Sequence, residues 1–278
     1  MTKRIFQWLG PVILAASSHA ADTNAIAEAS TNQPALPVSP SGATPTSADT
    51  ATNSRLAAVI ATNQPVWESS FAGGFTLTKG NSDTLLTTAA FRTRVKTPVF
   101  EFGFGLDGSY GESDSVKNNE TLHGITQYNH LFSDHWYGYL NAEGLHDGIA
   151  DLQYRFTVGP GAGYYFLKRT NVTLAAEFGP SLIFQRLGGT DTTYASLRWA
   201  ERFEQKLKSG ARVWEKAEIL PQVNKLENYL VNAEMGAEAT LTKSLSLRVT
   251  LLDNFVHQPA PDRKNNDVKL ISGLVYKF

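Results

Sequence analysis

Cysteine does not occur in the 278 residues, which removes disulfide frameworks, thiolate metal sites and cysteine nucleophiles together. A surplus of one charge is also lacking: 25 Lys and Arg stand against 26 Asp and Glu, for a formal net charge of −1. The basic residues are dispersed, so no stripe is offered to a phosphate backbone and nucleic acid is not an expected partner. Beyond residue 20 no stretch approaches the roughly 18 consecutive apolar residues of a transmembrane helix. If the mature chain enters a membrane it must do so as a closed barrel, because only helices and closed barrels satisfy their backbone polar groups in hydrocarbon.

The chain divides into three by texture. Residues 1–20, MTKRIFQWLGPVILAASSHA, combine Lys3 and Arg4 with an apolar run and the small residues Ser18 and Ala20, the pattern of a secretory signal peptide cut after Ala20. That run is too short to span about 30 Å of hydrocarbon as a helix. Residues 21–66 are rich in Ala, Thr, Ser and Pro, with Pro34, Pro37, Pro40 and Pro45 in quick succession and no aromatic residue. They cannot bury a core and read as a disordered leader.

Residues 67–278 alternate with period two. Trp67, Phe71 and Phe75 oppose Glu68 and Ser70, and Phe91 and Val95 oppose Arg92, Arg94 and Lys96. Phe100 to Leu106 alternate with Glu101 to Asp107, and Tyr154, Phe156 and Val158 with Arg155 and Thr157. Trp199 and Phe203 oppose Arg198, Arg202 and Glu204; Val231, Ala233 and Met235 oppose Glu234 and Glu238; Leu247 and Val249 oppose Arg248. About twelve such segments predict an all-β antiparallel up-and-down barrel. The ninth, near Val213 to Leu220, is ambiguous in parity, and Ala200 to Lys216 is rich enough in helix formers to be read as a helix. Short links, such as Thr97-Pro98 and Ser209-Gly210, interleave with longer polar ones, such as 111–120, 187–193 and 222–228. That is the layout of an outer-membrane barrel with short periplasmic turns, and an even strand count puts both termini in the periplasm.

A soluble barrel would turn its apolar face inward. The tail points the other way: Gly273, Tyr276 and the terminal Phe278 resemble the C-terminal signal by which bacterial outer-membrane barrels reach their assembly machinery, although Ile271 stands where that signal prefers a polar residue. The stretch FTLTKGNSDT, with Gly80-Asn81 suited to the positive φ of a tight hairpin, resembles the first hairpin of a domain-of-unknown-function family of Gram-negative β-barrels known as salt-induced outer membrane proteins. RFTVGPGAGYYF, residues 155–166, resembles the Gly-rich strand of that family. The resemblance implies a barrel in contact with lipid and lipopolysaccharide, with a link to salt or osmotic stress and no catalytic residues.

The inward face is where a function would lie. Arg92, Arg94, Arg155, Arg198, Arg202, Glu204, Glu234, Glu238 and Arg248 form either the lining of a polar channel or pairs that plug the lumen. With about twelve strands the bore is narrow, since open porins use about 16 to 18, which favours the plug. An envelope protein of unassigned role is the leading reading, a narrow solute channel the alternative and a lipid hydrolase the third. Thr121 and His123 are two apart on a strand, but Thr substitutes poorly for the Ser of such hydrolases, and no enzyme is expected. The acidic residues Glu112, Asp114, Asp147 and Asp151 lack the spacing of an EF-hand, so no metal and no cofactor are expected. Gly159, Gly161 and Gly163 lack the spacing of a nucleotide fingerprint and share one strand face, where they make room for large neighbours or let the barrel bend. Pro160 suggests a bulge. Oligomeric state is left open.

Overall fold

In the computed structural model, residues 65–78 and 84–278 are described. The expected signal peptide, most of the expected leader and the expected Gly80-Asn81 turn lie outside them. All regular structure among the described residues is strand: β1 (Val66–Thr78), β2 (Thr84–Lys96), β3 (Phe100–Ser113), β4 (Val116–Leu131), β5 (Trp136–Asp147), β6 (Leu152–Lys168), β7 (Val172–Leu187), β8 (Thr190–Lys206), β9 (Arg212–Gln222), β10 (Lys225–Thr240), β11 (Leu245–Val256) and β12 (Asn266–Lys277). Each pairs antiparallel with its neighbours in sequence, and β12 returns to β1 to close the barrel. Closure removes every free sheet edge but one stretch. β1 and β12 share only four residue pairs, Ser70↔Lys277 to Gly73↔Leu274, whereas β1 pairs with β2 along its whole length.

The alternation read from the sequence becomes two faces. Trp67, Phe71, Phe75, Phe104, Leu140, Phe156, Trp199, Met235, Leu251 and Leu274 are exposed on the outside, while Glu101, Arg155, Glu177, Arg198 and Glu238 are buried within. Aromatic rings gather near both rims. Trp136, Tyr164 and Phe166 pack edge to face near the end that holds the termini, and Tyr154 with Phe156 and Tyr229 with Phe255 lie toward the far end.

One open sequence reading is resolved and two are corrected. Ala200 to Lys216 is not helical: β8 continues to Lys206 and β9 begins at Arg212. The helix formers there pair across β7, β8 and β9, so tertiary pairing overrides local propensity. Ninth-strand parity is also settled, with Trp214 and Leu220 buried inside. The links 111–120, 187–193 and 222–228 are mostly strand, closed by the short turns Asp114-Ser115, Gly188-Gly189 and Val223-Asn224. The first two hold positive φ at both central residues, the geometry that follows the natural twist of a hairpin. Finally, Pro160 makes no bulge. The β6–β7 register is the same at Val158↔Leu182 and Ala162↔Phe178, and the shifts lie to either side, between Leu152 and Tyr154 and between Tyr165 and Leu167.

The glycine row of β6 does make room for large neighbours. Tyr137 stands opposite Gly163, and Tyr139 opposite Gly161. A Cβ on Gly163 would lie 2.1 Å from the Tyr137 ring, and one on Gly161 would lie 2.4 Å from Tyr139. Gly163→Val is therefore expected to destabilise the barrel in urea unfolding from detergent micelles by about 1–3 kcal/mol through overpacking. The added change Tyr137→Ala should recover part of that loss, whereas Tyr137→Ala alone should destabilise.

Candidate functional site

Inward-facing side chains meet in tiers across the lumen. At the end holding the termini, Glu238 on β10 is almost inaccessible to solvent and collects cations from three strands. Arg212 of β9 donates to it at 3.2 Å, Arg248 of β11 at 2.8 Å, and Lys277 of β12 bonds its other oxygen. Trp214 lies beneath two of these guanidinium groups, 4.9 Å from Arg212 and 5.7 Å from Arg248. Its indole N–H donates to Glu234 at 2.6 Å, and Lys216 donates to the same carboxylate at 3.2 Å. On the same level Arg94 donates to Glu68 at 2.6 Å and lies 3.6 Å from Glu204. β2 and β8 are six strands apart in a ring of twelve, so that second contact crosses the full bore.

The middle tier is drier. Arg198 donates from Nη1 to Glu177 and from Nε to Glu218, both at 2.8 Å. Glu177 also accepts from Tyr137 at 2.8 Å and from Gln127, three strands away, at 2.7 Å. Glu218 accepts from Asn232 at 2.8 Å. Buried charges need this degree of pairing, since an unpaired one carries several kcal/mol of desolvation. Toward the far end His123 faces Glu143 at 2.8 Å and Asp107 at 3.4 Å, so its ring satisfies both carboxylates only with two N–H donors.

The far mouth is closed by other means. Ile183, Leu220 and Leu230 form a buried apolar cluster inside the barrel, with Tyr194 and Val256 against it. Lys269 of β12 donates to Asp147 at the end of β5 at 3.1 Å. Above them the 257–265 connector places the buried Ala260 beside the β7–β8 turn, where a Cβ on Gly188 would come within 3.3 Å of Ala260.

The charged residues singled out from sequence all face inward, but they do not form one cluster. Arg92 lies 3.4 Å from Asp107, and Arg155 donates to Gln185 at 2.8 Å. Arg202 donates a hydrogen bond to the Tyr165 hydroxyl at 3.4 Å and meets Glu177 and Glu101 through space without a direct ion pair. Gly273 sits at the seam, where a Cβ would lie 2.8 Å from the Gly73 carbonyl. Tyr276 and Phe278 stack on the outside at 6.1 Å. His123 does not meet a free hydroxyl, because the Thr121 hydroxyl is bonded to that of Ser109 at 2.6 Å. Sequence reading passed over the lumenal aromatics Tyr165 and Trp214 and the apolar plug. It also passed over Glu177 and Glu218 as the partners of Arg198.

A closed barrel with an apolar exterior and a charged, cross-linked interior defines a membrane-type β-barrel. Residues 72–278 match the model of the DUF481 family, proteins of unknown function, and the chain belongs to that family. No curated protein matches the sequence. Among solved structures the barrel is similar to the NanC porin (8% identity, TM-score 0.43, covering 76% of this chain and 96% of that one). It is also similar to the KdgM porin (9%, 0.42, 77% and 99%) and to the translocator domain of the autotransporter NalP from Neisseria meningitidis (14%, 0.40, 83% and 96%).

Arg198→Ala leaves Glu177 and Glu218 without their shared cation and should cost about 3–5 kcal/mol of unfolding free energy, as breaking a buried ion pair does. The exposed pair Arg186–Asp191, 3.3 Å apart near the far rim, supplies the comparison. Arg186→Ala should change stability by less than about 1 kcal/mol in the same titration.

Proposed function

We propose that this protein is an outer-membrane β-barrel, plugged by its own side chains, that maintains the envelope under salt or osmotic stress. The observation that carries the membrane assignment is the ring of exposed apolar side chains, from Trp67 and Phe71 on β1 to Leu270 and Leu274 on β12. A soluble monomer rarely exposes a contiguous apolar patch beyond a few hundred Å². Aromatic residues near both rims support the same reading, with lipid and lipopolysaccharide as the surroundings. Both ends of the barrel domain lie at one rim, which this reading turns toward the periplasm. Tyr276 and Phe278 stand on the outer surface there, within reach of an assembly machine. The stress role rests on the resemblance of FTLTKGNSDT and RFTVGPGAGYYF described above.

The plug is supported by Arg94 reaching Glu204 across the bore, by the Arg198 tier and by the apolar cluster above it. The narrow-channel reading draws on one observation, a cavity of about 190 Å³ at the terminal end. A non-enzymatic role is supported by the commitment of His123 to two carboxylates and of Thr121 to Ser109.

Purified full-length protein in a planar bilayer is expected to give no steady ion current; stepwise conductance would replace the plug with the channel. A deletion strain should grow normally in low salt, lag in high salt, and recover with the wild-type gene. Equal growth in both media would remove the stress role.

A further inference from the structure

The cavity at the terminal end differs from the rest of the lumen in how its charges are matched. Elsewhere most inward cations have a carboxylate: Arg198 has Glu177 and Glu218, Lys216 has Glu234, Arg248 has Glu238 and Lys269 has Asp147. The cavity is lined by five cations, Arg94, Lys96, Arg169, Arg202 and Lys206, and by three carboxylates, Glu68, Glu101 and Glu204, an excess of two positive charges. Its carboxylates are already engaged. Glu68 accepts from Arg94, Glu101 accepts from the Tyr165 hydroxyl at 2.7 Å, and Glu204 lies between Arg94 and Arg212. Among the described residues Lys96, Arg169, Arg202 and Lys206 form no ion pair.

The cavity is also a cup. Tyr137 and Tyr165, with ring centroids 4.7 Å apart, and the Glu177–Arg198–Glu218 tier lie deeper in the barrel. These four cations, with Arg169 and Lys206 exposed at the rim and Arg202 further in, where Glu177 and Glu101 act on it through space, leave the mouth of the cup with a net positive potential. A volume of about 190 Å³ exceeds by several-fold the roughly 30 Å³ that one water occupies in the liquid, and has room for the five heavy atoms of inorganic phosphate. A guanidinium fork offers paired N–H donors to two oxygens of one oxyanion, and lysines add point charges around it.

We propose that this cup binds a small, multiply charged oxyanion of the phosphate type, held by Arg202 from within and by Lys96, Arg169 and Lys206 around the rim. The proposal goes beyond the envelope role and stands without it, since it rests on the cup and the excess of positive charge in its lining. Under the orientation given above, the ligand would come from the periplasm.

The test is isothermal titration of purified full-length protein in detergent micelles with inorganic phosphate at low ionic strength. Saturable binding is expected, weakened at least ten-fold by Arg202→Gln and by Lys206→Gln. Arg186→Gln makes the same change in net charge at the far rim and should bind as the wild type does. Arg202→Lys keeps the charge but loses the fork, and should bind more weakly than wild type and more tightly than Arg202→Gln. Acetate, with one charge and fewer acceptors, should bind at least ten-fold more weakly than phosphate. Resistance of the unheated barrel to dodecyl sulfate reports folding for each variant, and Lys206→Gln carries the test should Arg202→Gln not fold. The proposal is overturned by absence of saturable binding to the wild type, by cup variants that bind as tightly as wild type, by equal loss in Arg186→Gln, or by acetate binding equal to phosphate.

Discussion

Everything inside this barrel follows from the width of its bore. Twelve strands closed on themselves bring inward side chains from opposite walls within reach, so a charge placed on one wall can be answered from the other. Arg94 on β2 meets Glu204 on β8, and Lys269 on β12 meets Asp147 on β5. A wider ring would leave each of these charges facing water. The same narrowness makes residue size a constraint: Tyr137 and Tyr139 occupy the lumen only because the facing positions on β6 are glycines, and Trp214 fits because Gly236 has no side chain to meet it.

Much of this was legible before any coordinates. Period-two alternation across Phe100 to Asp107 or Tyr154 to Thr157 assigns strands and faces together, since a strand carries no other period. The even count of strands follows once Arg212 to Gln222 is accepted as one of them. That segment was hard to read because Glu, Lys and Ala between residues 200 and 217 suit a helix as well as a lumen wall, and only pairing with β8 and β10 decides between them. The long polar links misled for a related reason: Asn, Thr and Ser beyond the apolar belt look like loop, yet they extend hairpins that end in two-residue turns.

The candidate site was legible as a set of residues and not as a set of partners. Charge and parity place Arg198, Arg202, Glu234 and Glu238 inside. Which carboxylate meets which cation depends on stagger between strands, and a register error of two residues would exchange every partner. One interaction was within reach of counting alone. Residues 137 and 163 are equidistant from the middle of the β5–β6 connection, as are 139 and 161, so the two tyrosines and the glycines that admit them announce each other. The apolar cluster of Ile183, Leu220 and Leu230 gave no such sign, because a hydrophobic residue on a polar face looks like noise until the lumen around it is seen.

The tight hairpins at the far rim have a consequence for anything that meets the protein from that side. Asp114-Ser115, Gly188-Gly189 and Val223-Asn224 leave almost no slack backbone, whereas a protease needs an unpaired segment to draw into its cleft. Apart from the 148–151 turn and the 257–265 connector, the described far rim presents strand ends tied down by their neighbours, a surface that is hard to cut.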